Sequence, residues 1–206
     1  MKKSKSKKPA KKKSVKAKKV VRARKRVSAA SPFYAQSKRL GFRLLEAGDE
    51  DLYVGLFTDA KTMQHVMPPL DKERAQRSFR KALEVTHQKP FKQHISVIVE
   101  KATRKTVGIT SLKLIDSEGR RAEGGILLKT SAHQKRYSVE AIHVTNKEAF
   151  KWFALDEISA RVPVGHKAGE SLVARLGFLP REGVADEQPI KSNWVLSRDA
   201  WARNTK

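Results

Sequence analysis

The sequence predicts one α/β domain, covering residues 38–206, that follows a disordered basic segment of residues 1–32. Three observations support this prediction. From residue 38 onward, apolar residues recur at spacings typical of strands and helices. The predicted elements follow the order β-α-α-β-β-β-α-β-α-β, and no internal repeat is visible. The first 30 residues hold 15 lysines and arginines and no acidic residue.

The charge of the chain is concentrated at its start. The 206 residues include 45 Lys and Arg against 21 Asp and Glu, a formal net charge of +24. Beyond residue 30, 30 basic residues face 21 acidic ones, so the domain itself is only moderately basic. The absence of cysteine excludes disulfides and thiolate metal sites. No run approaches the roughly 18 apolar residues that a membrane span needs.

The segment 1–32 cannot bury enough apolar surface to offset the entropy cost of ordering, because valine is its only large aliphatic residue after Met1. It lacks the apolar stretch of a secretory signal, and its lysines are atypical of arginine-rich transit peptides. We therefore expect a cytoplasmic protein. Fifteen cations favour salt-sensitive, sequence-independent contact with nucleic acid, although a purely solubilising extension is the alternative.

In the first half of the domain, the pattern predicts a strand over residues 39–47 and a helix over 49–60. A Pro-Pro pair places residues 62–70 in a loop. Asp71 then caps a second helix, because an aspartate accepts hydrogen bonds from unpaired N–H groups of the first turn. The apolar positions of that helix share one face: Ala75, Phe79, Ala82 and Leu83.

The second half contains five more strands and two more helices. Alternating apolar residues predict strands over 94–100, 105–116 and 120–129, and later over 158–164 and 191–197. One helix is expected from about Val139 to Phe153. A short helix over 168–176 ends at Gly177, which has the residue type that favours a helix C-terminus.

The stretch "AHQKRYSVEAI", residues 132–142, connects a predicted strand to a helix. A helix N-terminus attracts anions because its first N–H groups are unpaired and its dipole is positive there. A loop that approaches a phosphate closely usually carries glycine, yet the corresponding position holds Arg136. If this residue needs a positive φ, arginine costs about 1 kcal/mol or more; if the backbone enters the helix normally, arginine only adds bulk.

The order of elements and several motifs resemble the GNAT acyltransferase superfamily, and more closely its ribosomal-protein N-terminal acetyltransferase branch. The resemblance covers roughly residues 38–200. It rests on "FRLLEAGDEDLYVGLF" at 42–57, "EGGILLKTSAHQKRYSVEA" at 123–141, Ala149-Phe150, and "ARLGF" at 174–178. It implies a mixed, mostly antiparallel central sheet flanked by helices. It also implies transfer of an acetyl group from acetyl-CoA to a primary amine, which is a protein N-terminus, a lysine or a small amine.

In this family the loop reads Q/R-x-x-G-x-G/A, and its backbone N–H groups bind the pyrophosphate of acetyl-CoA. The resemblance carries that role onto His133, Gln134, Lys135, Arg136, Tyr137 and Ser138. Ser138 is also a candidate N-cap. Leu127 and Leu128 would lie along the pantetheine. The family's N-x-x-S before the last helix falls on His166 and Gly169, so four positions that usually contact the cofactor differ here.

Acetyl transfer requires a base for the amine, polarisation of the thioester and a proton for the leaving thiolate. Glu123 is the candidate base, directly or through water, and the adjacent Gly124-Gly125 pair would permit a β-bulge. The alternative is a surface carboxylate paired with Arg120 or Arg121. Ser171 is the candidate acid, with Tyr137 or water as substitutes.

The altered loop leaves a second functional hypothesis open. In it, the domain is a catalytically impaired GNAT fold that binds nucleic acid or associates with ribosomes through its basic segment. The six histidines show no metal-ligand spacing, so we expect no metal site.

Overall fold

The computed structural model describes residues 33–182 and 191–204. The predicted disordered segment, residues 1–32, lies outside the described residues. Eight strands are present: β1 Ala35–Gln36, β2 Leu40–Leu44, β3 Gln93–Glu100, β4 Thr106–Leu114, β5 Arg121–Leu128, β6 Glu157–Pro163, β7 Leu179–Arg181 and β8 Lys191–Ser197. The α-helices are α1 Glu50–Thr58, α2 Ala60–Met63, α3 Lys72–His87, α4 Tyr137–Trp152, α5 Lys167–Arg175 and α6 Arg198–Asn204.

The strands form one sheet in the order β1-β2-β3-β4-β5-β6-β8-β7. Every neighbouring pair is antiparallel except β5 and β6, which are parallel. A parallel pair requires a crossover, and α4 supplies it. The predicted mixed, mostly antiparallel sheet flanked by helices is confirmed.

Helices cover the sheet on both faces. On one face, α1 and α3 pack Leu52, Leu56 and Phe79 against side chains of β3 and β4 such as Val97 and Ile109. On the other face, α4 packs on the first five strands, and α4, α5 and β6 share a second apolar cluster. Successive residues of a strand point to opposite faces. The face on which each β5 side chain lies is therefore fixed by this layering.

Several elements differ from the prediction. The strand expected over 39–47 is shorter, and α4 begins at Tyr137, two residues earlier than expected. Four short elements were not predicted: β1, α2, β7 and α6, which have two to seven residues. Segments of this length contain too few residues to show a hydrophobic period.

Two of the predicted helix ends are confirmed. The Asp71 carboxylate accepts a hydrogen bond from Arg74 N at 2.7 Å and so caps α3. Gly177 has φ +85° after α5, and the N–H of Phe178 donates to Val173 O. These are the features of a helix that ends in a left-handed residue.

The predicted β-bulge at Gly124-Gly125 is wrong. The register between β4 and β5 runs without a shift from Gly108↔Leu128 to Leu114↔Ala122. The irregularity lies instead in β3, between Ile98 and Val99.

None of the described helices combines the length and hydrophobicity that crossing a membrane requires.

Candidate active site

The sheet opens between its two parallel strands. Only Arg121, Ala122 and Glu123 of β5 pair with β6, opposite Glu157, Ile158 and Ser159. Beyond them, β6 continues along β8 and β5 continues along β4. Within the described part of the chain, the backbone edge of residues 124–128 thus faces a wedge-shaped gap instead of a strand. Unpaired backbone N–H and C=O groups need partners, so this edge is suited to binding an extended ligand.

Gly108 in β4 allows a close approach between β4 and the carboxyl end of β5. A Cβ at this position would overlap Leu127 O and would lie 2.9 Å from Leu128 Cα. Only glycine allows so close an approach of the two strands. In the strand order, β4 lies on the side of β5 opposite β6, so this close approach is on the side away from the gap.

The loop after β5 ends in a strained residue. A 3-10 turn covers Thr130–Lys135, Arg136 has φ 56° and ψ 32°, and α4 begins at Tyr137. The structure thus decides the question left open by the sequence: this position needs the left-handed conformation that glycine adopts readily. Ser138 lies inside the first turn of α4, so the N-cap prediction for it is wrong. Arg136 occupies the N-cap without a side-chain bond, which leaves the first N–H groups of α4 available.

A carboxylate at the end of β3 binds both neighbours of Arg136. Glu100 Oε1 accepts hydrogen bonds from Lys135 Nζ at 2.9 Å and from the Tyr137 hydroxyl, while Oε2 accepts one from Thr103 Oγ1 at 2.5 Å. Glu100 is only 8% exposed. The bonds from Thr103, Tyr137 and Lys135 lower the pKa of Glu100 to about 2, so it is ionised throughout the physiological range.

Arg39, in the turn between β1 and β2, holds the same loop from the other side. Its Nη1 donates to Lys135 O at 2.9 Å, and its Nε donates to Glu140 Oε2 at 2.6 Å. Its guanidinium also lies 4.6 Å from the centre of the Tyr137 ring. Glu140 further accepts bonds from Ser37 Oγ and from the backbone N–H of Arg39.

The side chains of the other predicted cofactor residues differ in their contacts. Leu127 packs towards the α1–α3 layer and Leu128 towards α4, so both sides of β5 are anchored. His133 Nε2 bonds to Leu128 O at 3.0 Å and closes the turn on the end of the strand. Gln134 is exposed.

Glu123 is the last residue of β5 that pairs with β6, so it lies where the gap begins. Its neighbour Ala122 packs in the α4 cluster, which places Glu123 on the opposite face, the side of α1 and α3. The predicted ion pairs with Arg120 or Arg121 are wrong: Arg120 binds Asp156 and Arg121 binds Asp116.

The partner of Glu123 is Arg161 of β6, whose Nη2 lies 2.9 Å from Glu123 Oε1. Both side chains are partly exposed, at 29% for Glu123 and 40% for Arg161. The carboxylate is therefore accessible to solvent and oriented across the mouth of the gap.

His166 lies at the carboxyl end of β6, as the N-cap residue of α5. Its ring stacks on His65, from the loop after α2, with centroids 3.9 Å apart. Burial and the nearby His65 lower the pKa of His166, which favours the neutral form of this ring. A Cβ at Gly169 would lie 2.6 Å from His166 Cδ2, so this glycine makes room for the ring.

Ser171 and Tyr137 are the two candidate proton donors. Ser171 is exposed on α5. Tyr137 is buried and donates its hydroxyl to Glu100, so this hydroxyl is already bound as the structure stands. The side chain of Arg136 lines a cleft of about 340 Å³ on the outer side of α4, together with Val139, His143 and Arg175. Among the described residues, no ion-pair partner is found for Arg136 or Arg175.

The chain matches the model of the acetyltransferase (GNAT) domain over residues 39–179. It belongs to the GNAT family. GNAT domains are acyltransferases that use acetyl-CoA, and the matched range contains the gap, the loop and Glu123. A search of the curated proteins finds no significant match to this GNAT chain.

Solved structures with the same fold include several acetyltransferases. Spermidine N-acetyltransferase from Vibrio cholerae, in complex with CoA and spermine, is 18% identical with a TM-score of 0.70, covering 81% of this chain and 99% of its own. A GNAT-family acetyltransferase from Bacillus anthracis is 16% identical with a TM-score of 0.68, covering 80% and 98%. An acetyltransferase from Agrobacterium tumefaciens is 18% identical with a TM-score of 0.67, covering 79% and 93%.

The described residues of this GNAT domain fit acetyl-CoA in three respects. As far as the structure describes the chain, the edge of β5 from Gly124 to Leu127 has no strand paired with it on the side of β6, the N-terminus of α4 has no side-chain cap, and Arg136 supplies a cation beside it. The sequence did not point to Glu100, Arg39, His65 or Arg161, because each reaches the site from a distant segment. Glu100 ends a strand and is followed by "KATRK", and this local sequence contains no motif that indicates a role in the site.

Proposed function

We propose that this GNAT domain transfers an acetyl group from acetyl-CoA to a primary amine of a protein, with Glu123 as the general base. The observation that carries the proposal is the position of Glu123 at the start of the gap. Its carboxylate lies on the sheet face opposite α4, beside the backbone edge that would bind the pantetheine. An acceptor approaching from that face would meet the thioester next to a carboxylate.

In the proposed reaction, Glu123 accepts a proton from the acceptor ammonium, directly or through water. The amine nitrogen then attacks the thioester carbon, and unpaired N–H groups of β5 stabilise the charge that develops on the carbonyl oxygen. As the C–N bond forms, the C–S bond breaks, and the extra proton of the amine nitrogen passes to the leaving thiolate through Ser171 or water. The ion pair with Arg161 orients the Glu123 carboxylate before the acceptor binds.

We further propose that Arg136, together with the N–H groups of α4, binds the CoA phosphates, and that His166 lines the opposite side of the gap. Lys135 contributes less than the sequence suggested, because Glu100 already binds its ammonium at 2.9 Å. Charge-assisted contacts to phosphate are among the stronger hydrogen bonds, so one free arginine at a helix N-terminus is a substantial contribution.

The test is the rate of thiol release from acetyl-CoA with peptides that carry one free α-amine or one lysine. Glu123→Gln should lower kcat at least about a hundredfold, the usual contribution of a general base, without changing the affinity for acetyl-CoA. The matched control is Glu157→Gln, since Glu157 lies on the same face and is also paired with an arginine, Arg181. Full activity of Glu123→Gln, or acetylation of spermidine but of no peptide, would contradict the proposal.

We infer that the acceptor is a protein associated with nucleic acid, and that the branch is that of the ribosomal-protein N-terminal acetyltransferases. The 15 cations of residues 1–30 support this inference, because each phosphate contact releases counterions. Binding to RNA and DNA should fall steeply with salt for the full chain and weakly for the chain from residue 31 onward. If binding by the two chains depends equally on salt concentration, the nucleic-acid contact belongs to the domain. A cytoplasmic location follows from the same proposal.

A further inference from the structure

We propose that Glu100 is a positioning residue that holds the acetyl-CoA loop in its left-handed conformation and so replaces the glycine that this position would otherwise require. The inference rests on the proposed use of this loop for the CoA phosphates. Glu100 lies 36 positions before Arg136 in the sequence, on a different strand. Its carboxylate nevertheless binds the residues on both sides of Arg136.

The need for such a residue follows from the backbone of Arg136. A side chain at φ 56° is strained, since the Cβ atom approaches the neighbouring carbonyl oxygen. A strained conformation persists only where its surroundings hold it in place. In glycine-containing loops no such support is required.

The contacts of Glu100 are arranged to give that support. Lys135 precedes Arg136 and Tyr137 follows it, and one carboxylate oxygen, Oε1, binds both. This fixes the distance between the two flanking side chains, which a change of φ at residue 136 would alter. Tyr137 is also buried among apolar residues of α4 and β2, so its hydroxyl has a fixed position relative to the sheet.

The β3–β4 turn fixes the position of Glu100. Thr103 Oγ1 donates to its second oxygen at 2.5 Å, and its backbone N–H donates to Lys105 O at 2.9 Å. Lys101 Nζ donates to Ser37 O at 3.0 Å and so ties this turn to the segment that carries Arg39. The loop is thus positioned from β3 and from the β1–β2 turn together.

The experiment is a double-substitution cycle on the full chain, read by CoA affinity and by steady-state kinetics. Glu100→Gln should raise the Kd for CoA and the KM for acetyl-CoA about tenfold, as expected when a conformation of this cost loses its support, while kcat stays unchanged. In the Arg136→Gly background the same substitution should change Kd less than about twofold, because glycine needs no support. An equal effect in both backgrounds would overturn the proposal.

A second measurement decides the proposal without CoA. Trypsin cleaves after arginine, so its rate at the Arg136–Tyr137 bond reports how often the loop opens. Glu100→Gln should speed this cleavage about tenfold. The matched control is Asp49→Asn, since Asp49 is an equally buried carboxylate paired with Arg43 far from the loop. An unchanged cleavage rate in Glu100→Gln would overturn the positioning role, whereas failure of the wild-type chain to bind CoA would contradict only the proposed function.

Discussion

Two arginines of this GNAT domain have the same left-handed backbone and are held in different ways. Arg104 has φ 61° in the β3–β4 turn, and Arg136 has φ 56° before α4. They are the only residues other than glycine with positive φ in the described ranges, 33–182 and 191–204. Arg104 is fixed by the backbone: its N–H donates to Glu100 O at 2.8 Å, and Glu100 N–H donates to Lys105 O.

Arg136 lies between the 3-10 turn Thr130–Lys135 and α4. Its neighbours are held by side chains of Glu100 and Arg39, which come from other parts of the chain. Glu100 therefore closes one turn with its main chain and supports the other loop with its carboxylate. A turn that closes itself tolerates many side chains, whereas the loop at α4 depends on specific distant residues. Three sets of substitutions and one change of pH test this difference between the Arg104 turn and the Arg136 loop.

The largest effect is expected from Gly108→Ala, which acts on the loop at α4 through the end of β5. The new Cβ would overlap Leu127 O, so β5 must move towards the gap. Because the new Cβ meets backbone atoms, the loss of unfolding free energy should lie at the upper end of the overpacking range, about 3 kcal/mol or more, measurable by urea denaturation. CoA affinity should fall in parallel. If stability falls while affinity is unchanged, the close approach of β4 and β5 does not shape the gap.

Tyr137→Phe should lower the unfolding free energy by about 1.5–3 kcal/mol, because a hydrogen bond to a charged group is lost and the Glu100 carboxylate loses a partner. The ring and its contact with Arg39 remain. Thr103→Val is the comparison at the other bond to the same carboxylate. The two variants should differ in CoA affinity, with Tyr137→Phe the weaker binder; equal affinities would show that the flanking tyrosine has no special role.

Glycine at each arginine should stabilise the fold by about 1 kcal/mol, because glycine adopts positive φ without strain. Thermal denaturation of Arg104→Gly and Arg136→Gly measures this gain. Only Arg136→Gly should also weaken CoA binding, by several-fold and more at low salt, where screening is least. Stronger CoA binding by Arg136→Gly would instead mean that the arginine obstructs the phosphates.

The smallest effect is expected from acid. The folded-state pKa of Glu100 is lowered from 4.5 to about 2, so its stabilising contribution is complete above pH 4.5 and is lost as the pH falls towards 2. The difference in urea midpoint between the wild-type chain and Glu100→Gln should therefore shrink across that interval. A constant difference between pH 5 and pH 2 would contradict the bonded, ionised carboxylate.

Local sequence signals predicted most of the fold. The Asp71 cap, the single-face spacing of Ala75 and Phe79, and Gly177 after α5 each act within a few residues, so their effect can be read along the chain. The elements that were not predicted, such as β1 and β7, have only two or three residues. They exist because a neighbouring strand offers a hydrogen-bonding edge.

The site was predicted less completely. The position of the loop between β5 and α4 was foreseen, and Glu123 lies where the strands separate, as its proposed role requires. Its pairing with Arg161 was not foreseen, because Arg161 lies 38 positions later in the sequence, on a strand that only the fold brings beside β5. The neutralisation of Lys135 by Glu100 was missed for the same reason.

The sequence by itself determined the order of strands and helices, the polarity of each face and the strongly basic first 30 residues, since these depend on residue type and short spacing. Only the tertiary structure decided that Arg136 adopts a positive φ, that Glu100 and Arg39 hold its neighbours, and that β5 leaves β6 after Glu123. The reason is physical: propensities act over a few residues, whereas a strained backbone angle is stable only when packing and hydrogen bonds from distant segments hold it.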